Sequence, residues 1–121
     1  MSFLGLTGVA RRSIITYAGK PYVTPESLPD IVKYLDKTRP PFTLLYFKAD
    51  WNPKCAEIEK DYENLCYKHA NWHHIKVDCD QAQDVKRYFD CRVEPQFLFL
   101  VHGGEIHRQI GYNFNLMNNK I

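Results

Sequence analysis

Three things are scarce in this chain, and each absence narrows it. No apolar stretch approaches the roughly 20 residues a membrane-crossing helix needs, so a helical integral membrane protein is not expected. No Cys-x-x-Cys occurs among the 4 cysteines, so a zinc or iron–sulfur framework finds no support in their spacing. No large surplus of one charge is present either. The 16 Lys and Arg stand against 14 Asp and Glu for a net +2, far from the basic balance of a protein that lives on RNA or DNA. Repeats and low-complexity segments are also lacking. What remains is a globular composition, 45% hydrophobic and 25% charged over 121 residues, enough for one ordinary domain and too little for two.

A fourth absence is local. Residues 1–25 hold Arg11, Arg12 and Lys20 and no acid, the first carboxylate being Glu26. Setting those 3 aside leaves 13 basic residues against 14 acidic ones, so the body carries −1 and the whole excess lies in the tail. Phe3, Leu4, Leu6, Ile14 and Ile15 are interleaved there with Ser2, Thr7, Ser13 and Thr16. An arginine-bearing, hydroxyl-rich, acid-free segment has the composition of a mitochondrial targeting sequence, and its arginines follow the apolar residues, unlike those of a secretory signal. The plainer reading is a disordered basic terminus. Residues 1–20 are read as a mitochondrial-type tail that is retained and laid on a partner through Arg11 and Arg12. It has nothing of its own to pack on.

From residue 21 to 121 the chain reads as one domain. Pro21-Tyr22-Val23 is a short extended piece, and Thr24-Pro25-Glu26 starts a helix on which Leu28, Ile31, Val32 and Leu35 keep helical spacing. Arg39-Pro40-Pro41 ends it. Phe42 to Ala49 is a nearly continuous apolar run, the mark of a strand buried on both faces. Asp50 or Asn52 caps the next helix, which begins near Pro53 and carries Cys55, Ile58, Tyr62, Leu65 and Cys66 as its apolar stripe. Trp72 to Cys79 is a second strand, Asp80 to Phe89 a short helix, and Gln96 to Val101 a third strand stopped at Gly103-Gly104. Glu105 to Tyr112 alternates as a fourth strand with Ile106 and Ile110 inward. The eight residues before the last, Asn113 onward, are too few for much of a helix. The predicted order, β-α-β-α-β-α-β-β, gives an α/β fold with a central mixed sheet flanked by helices.

That order resembles the thioredoxin family from about Tyr22 to about Asn113. Two motifs carry the resemblance. Tyr46-Phe47-Lys48-Ala49-Asp50-Trp51-Asn52-Pro53-Lys54-Cys55 stands where the family has a buried strand running into Trp-Cys-Gly-Pro-Cys, and Val93-Glu94-Pro95-Gln96-Phe97-Leu98-Phe99 looks like the family's cis-proline segment. Val77-Asp78-Cys79-Asp80 is similar to a third, weaker signature. The resemblance implies a thioredoxin fold with its closing C-terminal helix truncated, leaving apolar surface for a neighbour to cover.

The chemistry departs from the family. A dithiol oxidoreductase needs an attacking thiolate at the helix N-terminus and a resolving thiol one turn later. The attacking position is Asn52, only the resolving Cys55 keeps its sulfur, and the family's buried proton-transfer acid is replaced by Tyr46. The other thiols offer no substitute. Cys55 and Cys66 lie 11 apart on one helix, about 16 Å and beyond any disulfide. Cys79 ends a strand, and Cys91 reads as core. Four unpaired thiols suit a reducing compartment. His73 and His74 are adjacent in a strand and so point to opposite faces, one exposed and one packed, unable to share a metal. His102 and His107 read as solvated, and Trp51 and Trp72 either as interface aromatics or as residues the fold itself requires.

These observations point to a non-catalytic accessory subunit of a mitochondrial assembly, a respiratory-chain complex in preference to the ribosome because the body is slightly acidic. The vestigial site is Trp51, Asn52, Cys55 and Pro95, with no cofactor and no metal expected. Partners are protein subunits, with membrane-adjacent contact through the tail and no nucleic acid. Two alternatives stand beside this. One is a monothiol redox protein using Cys55, activated by Lys54 and the helix N-terminus. The other is a module that holds client peptides along Glu94, Pro95 and Gln96.

Overall fold

The computed structural model describes residues 19–35, 42–111, 113 and 117. The arginines of the tail and the Arg39-Pro40-Pro41 stop lie outside them. Within them the elements run α1 (Leu28–Leu35), β1 (Phe42–Lys48), α2 (Pro53–Glu57), α3 (Glu59–Lys68), β2 (His73–Asp78), α4 (Gln83–Tyr88), β3 (Gln96–Val101) and β4 (Gly104–Ile110). The strands form one sheet in the order β2-β1-β3-β4. β1 is parallel to β2 and antiparallel to β3, and β3 is antiparallel to β4. This is the mixed sheet the alternation of elements implies.

β1 sits between two neighbours and two helical layers, which is why five of its residues in a row are buried. Its alternation divides the core. Leu45 and Phe47 pack with Ile75, Val77, Leu98 and Leu100 under Ile31 of α1 and Val85 of α4. Leu44 and Tyr46 pack on the other face with Phe97, Phe99 and the α2–α3 residues Ile58, Tyr62, Leu65 and Cys66. Met117 belongs to this second cluster and is fully buried. Its N–H donates to the Asn113 carbonyl at 2.9 Å, so the Met117 side chain covers part of the face expected to lie bare.

The first helix starts at Leu28, two residues past the expected Pro25-Glu26 start, because its cap comes from far along the chain. The Leu28 N–H donates to the Asp84 carboxylate on α4 at 2.8 Å, a long-range substitute for a local N-cap. Helix 53–70 is divided at Ile58 (φ −96°, ψ 2°). The hydrogen-bond path continues through it, since Ile58 N–H donates to Lys54 and Tyr62 N–H to Ile58. Val23 makes a single parallel bridge to Ile75 instead of a full strand, with bonds to His74 and Lys76 on either side. At the β3–β4 turn His102 and Gly103 both have positive φ (50° and 83°), the two-residue geometry whose twist suits a hairpin.

Three sequence expectations are corrected. Ile106 and Ile110 point outward, 62% and 69% exposed. β4 is an edge strand whose inward positions, opposite Phe99 and Phe97, are taken by His107 and Gln109. His73 and His74 are both buried, 6% and 1% exposed, because β2 lies between β1 and the Val23 bridge with a packed layer on each face. His107 is half-buried with its ring 5.2 Å from Phe99, so it is not a solvated position. Trp72 resolves to a core residue, stacked on Phe42 at 4.9 Å and edge-on to Phe99 at 6.1 Å.

Candidate functional site

β1 runs straight into the turn that carries Trp51, Asn52 and Cys55. Lys48 leaves the strand and pairs with Asp50 at 2.7 Å, Trp51 projects into solvent at 70% exposure, and Asn52 begins α2. Asn52 has extended backbone (φ −93°, ψ 112°), and its Oδ1 accepts from the Lys54 N–H at 2.9 Å. Pro53 follows at the first helical position, where a missing N–H costs nothing. The Asn52 side-chain amide meanwhile donates to the Glu94 carbonyl at 2.7 Å. Both ends of the side chain are therefore engaged: one caps the helix, and the other ties it to the loop before β3.

Cys55 lies one turn inside α2 and is 3% exposed. Beneath it is Tyr46, fully buried and stacked on Phe97 at 4.8 Å. Burial raises the Tyr46 phenol far above its ordinary range, and the neighbouring Cys55 and Glu59 add to the effect. Its hydroxyl has no close hydrogen-bond partner among the described residues, with the Cys55 thiol as a neighbour. Tyr62 and Cys66 repeat the arrangement one layer on, and burial pushes the Cys66 thiol up to about 12.

The proline segment is cis at Glu94-Pro95. Its carbonyls are already in use: Glu94 accepts from Asn52, and Pro95 accepts from the Gly111 N–H at 2.9 Å. Nor do the flanking side chains face outward as a client-docking edge requires. The Glu94 carboxylate is 4% exposed and pairs with Lys86 at 2.8 Å. Gln96 is 2% exposed, donates to the Val93 carbonyl at 3.1 Å and accepts from Arg108 at 2.7 Å.

Two residues that sequence reasoning passed over organise this region. Arg108 donates to the Phe89 and Asp90 carbonyls at 2.8 and 3.2 Å and pairs with Glu105 at 2.9 Å, tying β4 to the end of α4. Lys76 pairs with Glu59 and lies 4.7 Å over the Tyr22 ring. Apart from the Glu105–Arg108 pair, three residues apart, neither leaves a local signal, since the other partners are distant in the chain. The cysteines, too, are placed by the fold and not by their spacing. All four are free and buried, and Cys79 and Cys91 come together with Glu94. Hydrogen bonding between the two thiols lowers Cys91 and raises Cys79.

A four-stranded mixed sheet flanked by helices, with a strand-to-helix turn facing a cis-proline loop, defines a thioredoxin-fold protein. Comparison with known proteins agrees. The family model for thioredoxin matches residues 26–119, and the chain belongs to the thioredoxin family. It is 32% identical over 78 residues to the TPR repeat-containing thioredoxin TDX of Arabidopsis thaliana, covering 64% of this chain and 20% of that protein. It is 31% identical over 75 residues to thioredoxin H5 of the same plant, covering 62% and 64%. The chain thus spans less than two thirds of the length of these curated relatives. Among solved structures, Fasciola hepatica thioredoxin superposes with a TM-score of 0.77 at 23% identity, over 82% of this chain and 95% of that one, a likeness of fold. No helix among the described residues is long and apolar enough to cross a membrane.

Proposed function

We propose that this chain is a redox-inactive thioredoxin-like module serving as an accessory subunit of a mitochondrial multiprotein assembly, a respiratory-chain complex in first place. The observation that carries the inactivity is the placement of Asn52. An amide cannot attack a disulfide, and this one is consumed as a cap and as a donor to Glu94. Tyr46 offers a buried phenol where a carboxylate would shuttle protons, and Cys55 is shielded. The occupied carbonyls and inward side chains around Pro95 speak against the client-binding alternative. Mitochondrial placement rests on the acid-free, arginine-bearing tail, and the slightly acidic body favours protein partners.

Two measurements test this reading. The endogenous protein, released by gentle solubilisation and run on a native gel, is expected to migrate with a large assembly; a free monomer of about 14 kDa refutes the subunit role. The purified chain is expected to leave insulin disulfides at the rate set by dithiothreitol alone. Catalysis above that rate, abolished by Cys55→Ser, would establish the monothiol enzyme instead.

A further inference from the structure

The region between the end of β2 and the start of β3 holds a cluster that the vestigial redox site does not use. Cys79 follows β2, Cys91 follows α4, and Glu94 precedes Pro95. Their Sγ and carboxylate oxygens all lie within 4.8 Å of one another. We propose that Cys79, Cys91 and Glu94 form a three-ligand site for a thiophilic divalent cation of the Zn2+ class, with a fourth position open to solvent.

The donor set and its geometry support this. Thiolate sulfurs select soft or borderline ions over Mg2+ and Ca2+. Tetrahedral bonds of about 2.3 Å to sulfur and 2.0–2.2 Å to oxygen place donor atoms roughly 3.5–3.8 Å apart, within small side-chain rotations of the observed spacing. The ligands come from three different junctions, each held by the fold. The Cys79 N–H donates to Lys48 at 2.9 Å and the Cys91 N–H to Lys86 at 3.0 Å. Groups behind the donors are suited to support them. The Gln96 amide donates to the Cys91 sulfur at 3.5 Å, and Lys86 pairs with the Glu94 carboxylate at 2.8 Å. Charge also balances: two thiolates, one carboxylate and a dication sum to −1, which the Lys86 ammonium neutralises. A carboxylate 4% exposed, with Lys86 as its cationic partner, thus stands beside two buried thiols near Ala82 and Val85, where a charge is costly unless neutralised. A cleft of about 490 Å³ opens over Cys79 and Cys91, rimmed by Asp80, Gln83, Lys86 and Arg87. It gives the ion a route in and a water or exogenous ligand a place to bind.

The test is an anaerobic Co2+ titration of the reduced full chain, followed by Zn2+ displacement. The expected result is a near-ultraviolet thiolate-to-cobalt band with tetrahedral visible bands, saturating at one equivalent and bleached by Zn2+. A featureless spectrum overturns the site, including the case where Cys79 and Cys91 simply close to a disulfide. The doubly substituted Cys55→Ser, Cys66→Ser chain should keep the band, and Cys91→Ser should lose it; the reverse pattern refutes the assignment. Glu94→Gln keeps the side chain's shape and should weaken Zn2+ binding roughly tenfold or more, whereas unchanged affinity removes Glu94 from the ligand set. Should Cys91→Ser fail to fold, as judged by circular dichroism, iodoacetamide mapping of the unaltered protein decides. Zn2+ must shield Cys79 and Cys91, and shielding of Cys55 or Cys66 alone rules the site out.

Discussion

The Asn52 amide donates to the Glu94 carbonyl at 2.7 Å, so the residue in the family's nucleophile position is a structural tie between two loops. The same side chain caps α2. Asn52→Ala removes both interactions and leaves a half-buried carbonyl without its donor. The expected loss is about 1–3 kcal/mol in urea unfolding, with Asn52→Asp recovering only the cap.

Tyr46 fills its site by shape, not by hydrogen bonding. Its ring stacks on Phe97 and lies 4.6 Å from Tyr62, while its hydroxyl has no close hydrogen-bond partner among the described residues. Tyr46→Phe is therefore expected to change stability by less than about 1 kcal/mol. Tyr46→Ala should cost about 3–5 kcal/mol. A large loss in Tyr46→Phe would show that the hydroxyl has a structural role.

Stability should fall in mild acid through His74. Burial is the main cause holding its imidazole down to about 4 from an ordinary 6.5, while its bond to the His69 carbonyl opposes the shift. Because the folded value is the lower one, the unfolded chain takes up the proton first. Stability declines as pH drops through 6.5 and levels off below 4, a loss on the order of 3 kcal/mol. Comparing urea midpoints at pH 7.5 and 5 in the natural chain and in His74→Gln isolates this contribution. The variant should show the shallower dependence.

Arg108 reaches the Phe89 and Asp90 carbonyls and Gln96 in one planar fork. An ammonium cannot copy that geometry. Arg108→Ala is expected to lower stability by about 1–3 kcal/mol and the melting temperature by several degrees, and Arg108→Lys should recover little of either. Equal melting temperatures for Arg108→Lys and the natural chain would argue against the fork.

The Asn52→Cys exchange restores a Cys-x-x-Cys with Cys55 while Tyr46 remains. It is expected to acquire measurable insulin reduction above the unaltered chain. Its rate should stay far below that of a protein with a buried carboxylate there, since proton transfer of this kind contributes about 10²- to 10⁴-fold. No gain at all would point to burial of Cys55, not the residue at position 52, as what limits disulfide exchange here.

Much of this was legible along the chain because the information is local. The apolar run of β1, the cap at Asn52, the Gly103 turn and the motif around Pro95 each specify their own conformation within a few residues. The absence of a thiol at position 52 is equally a matter of sequence. Layers and edges are not local. Ile106 and Ile110 alternate correctly for a half-buried strand, yet which face the core takes depends on β4 being the edge strand beside Phe97 and Phe99. His73 and His74 both became interior because β2 is covered on two sides. Most clearly, Cys79, Cys91 and Glu94 are separated by 12 and 3 positions and show no ligand spacing. Only the tertiary fold gathers them: β3 runs antiparallel to β1 and β2 parallel to it, so the end of β2 and the start of β3 lie at the same end of the sheet, with α4 between them in the chain.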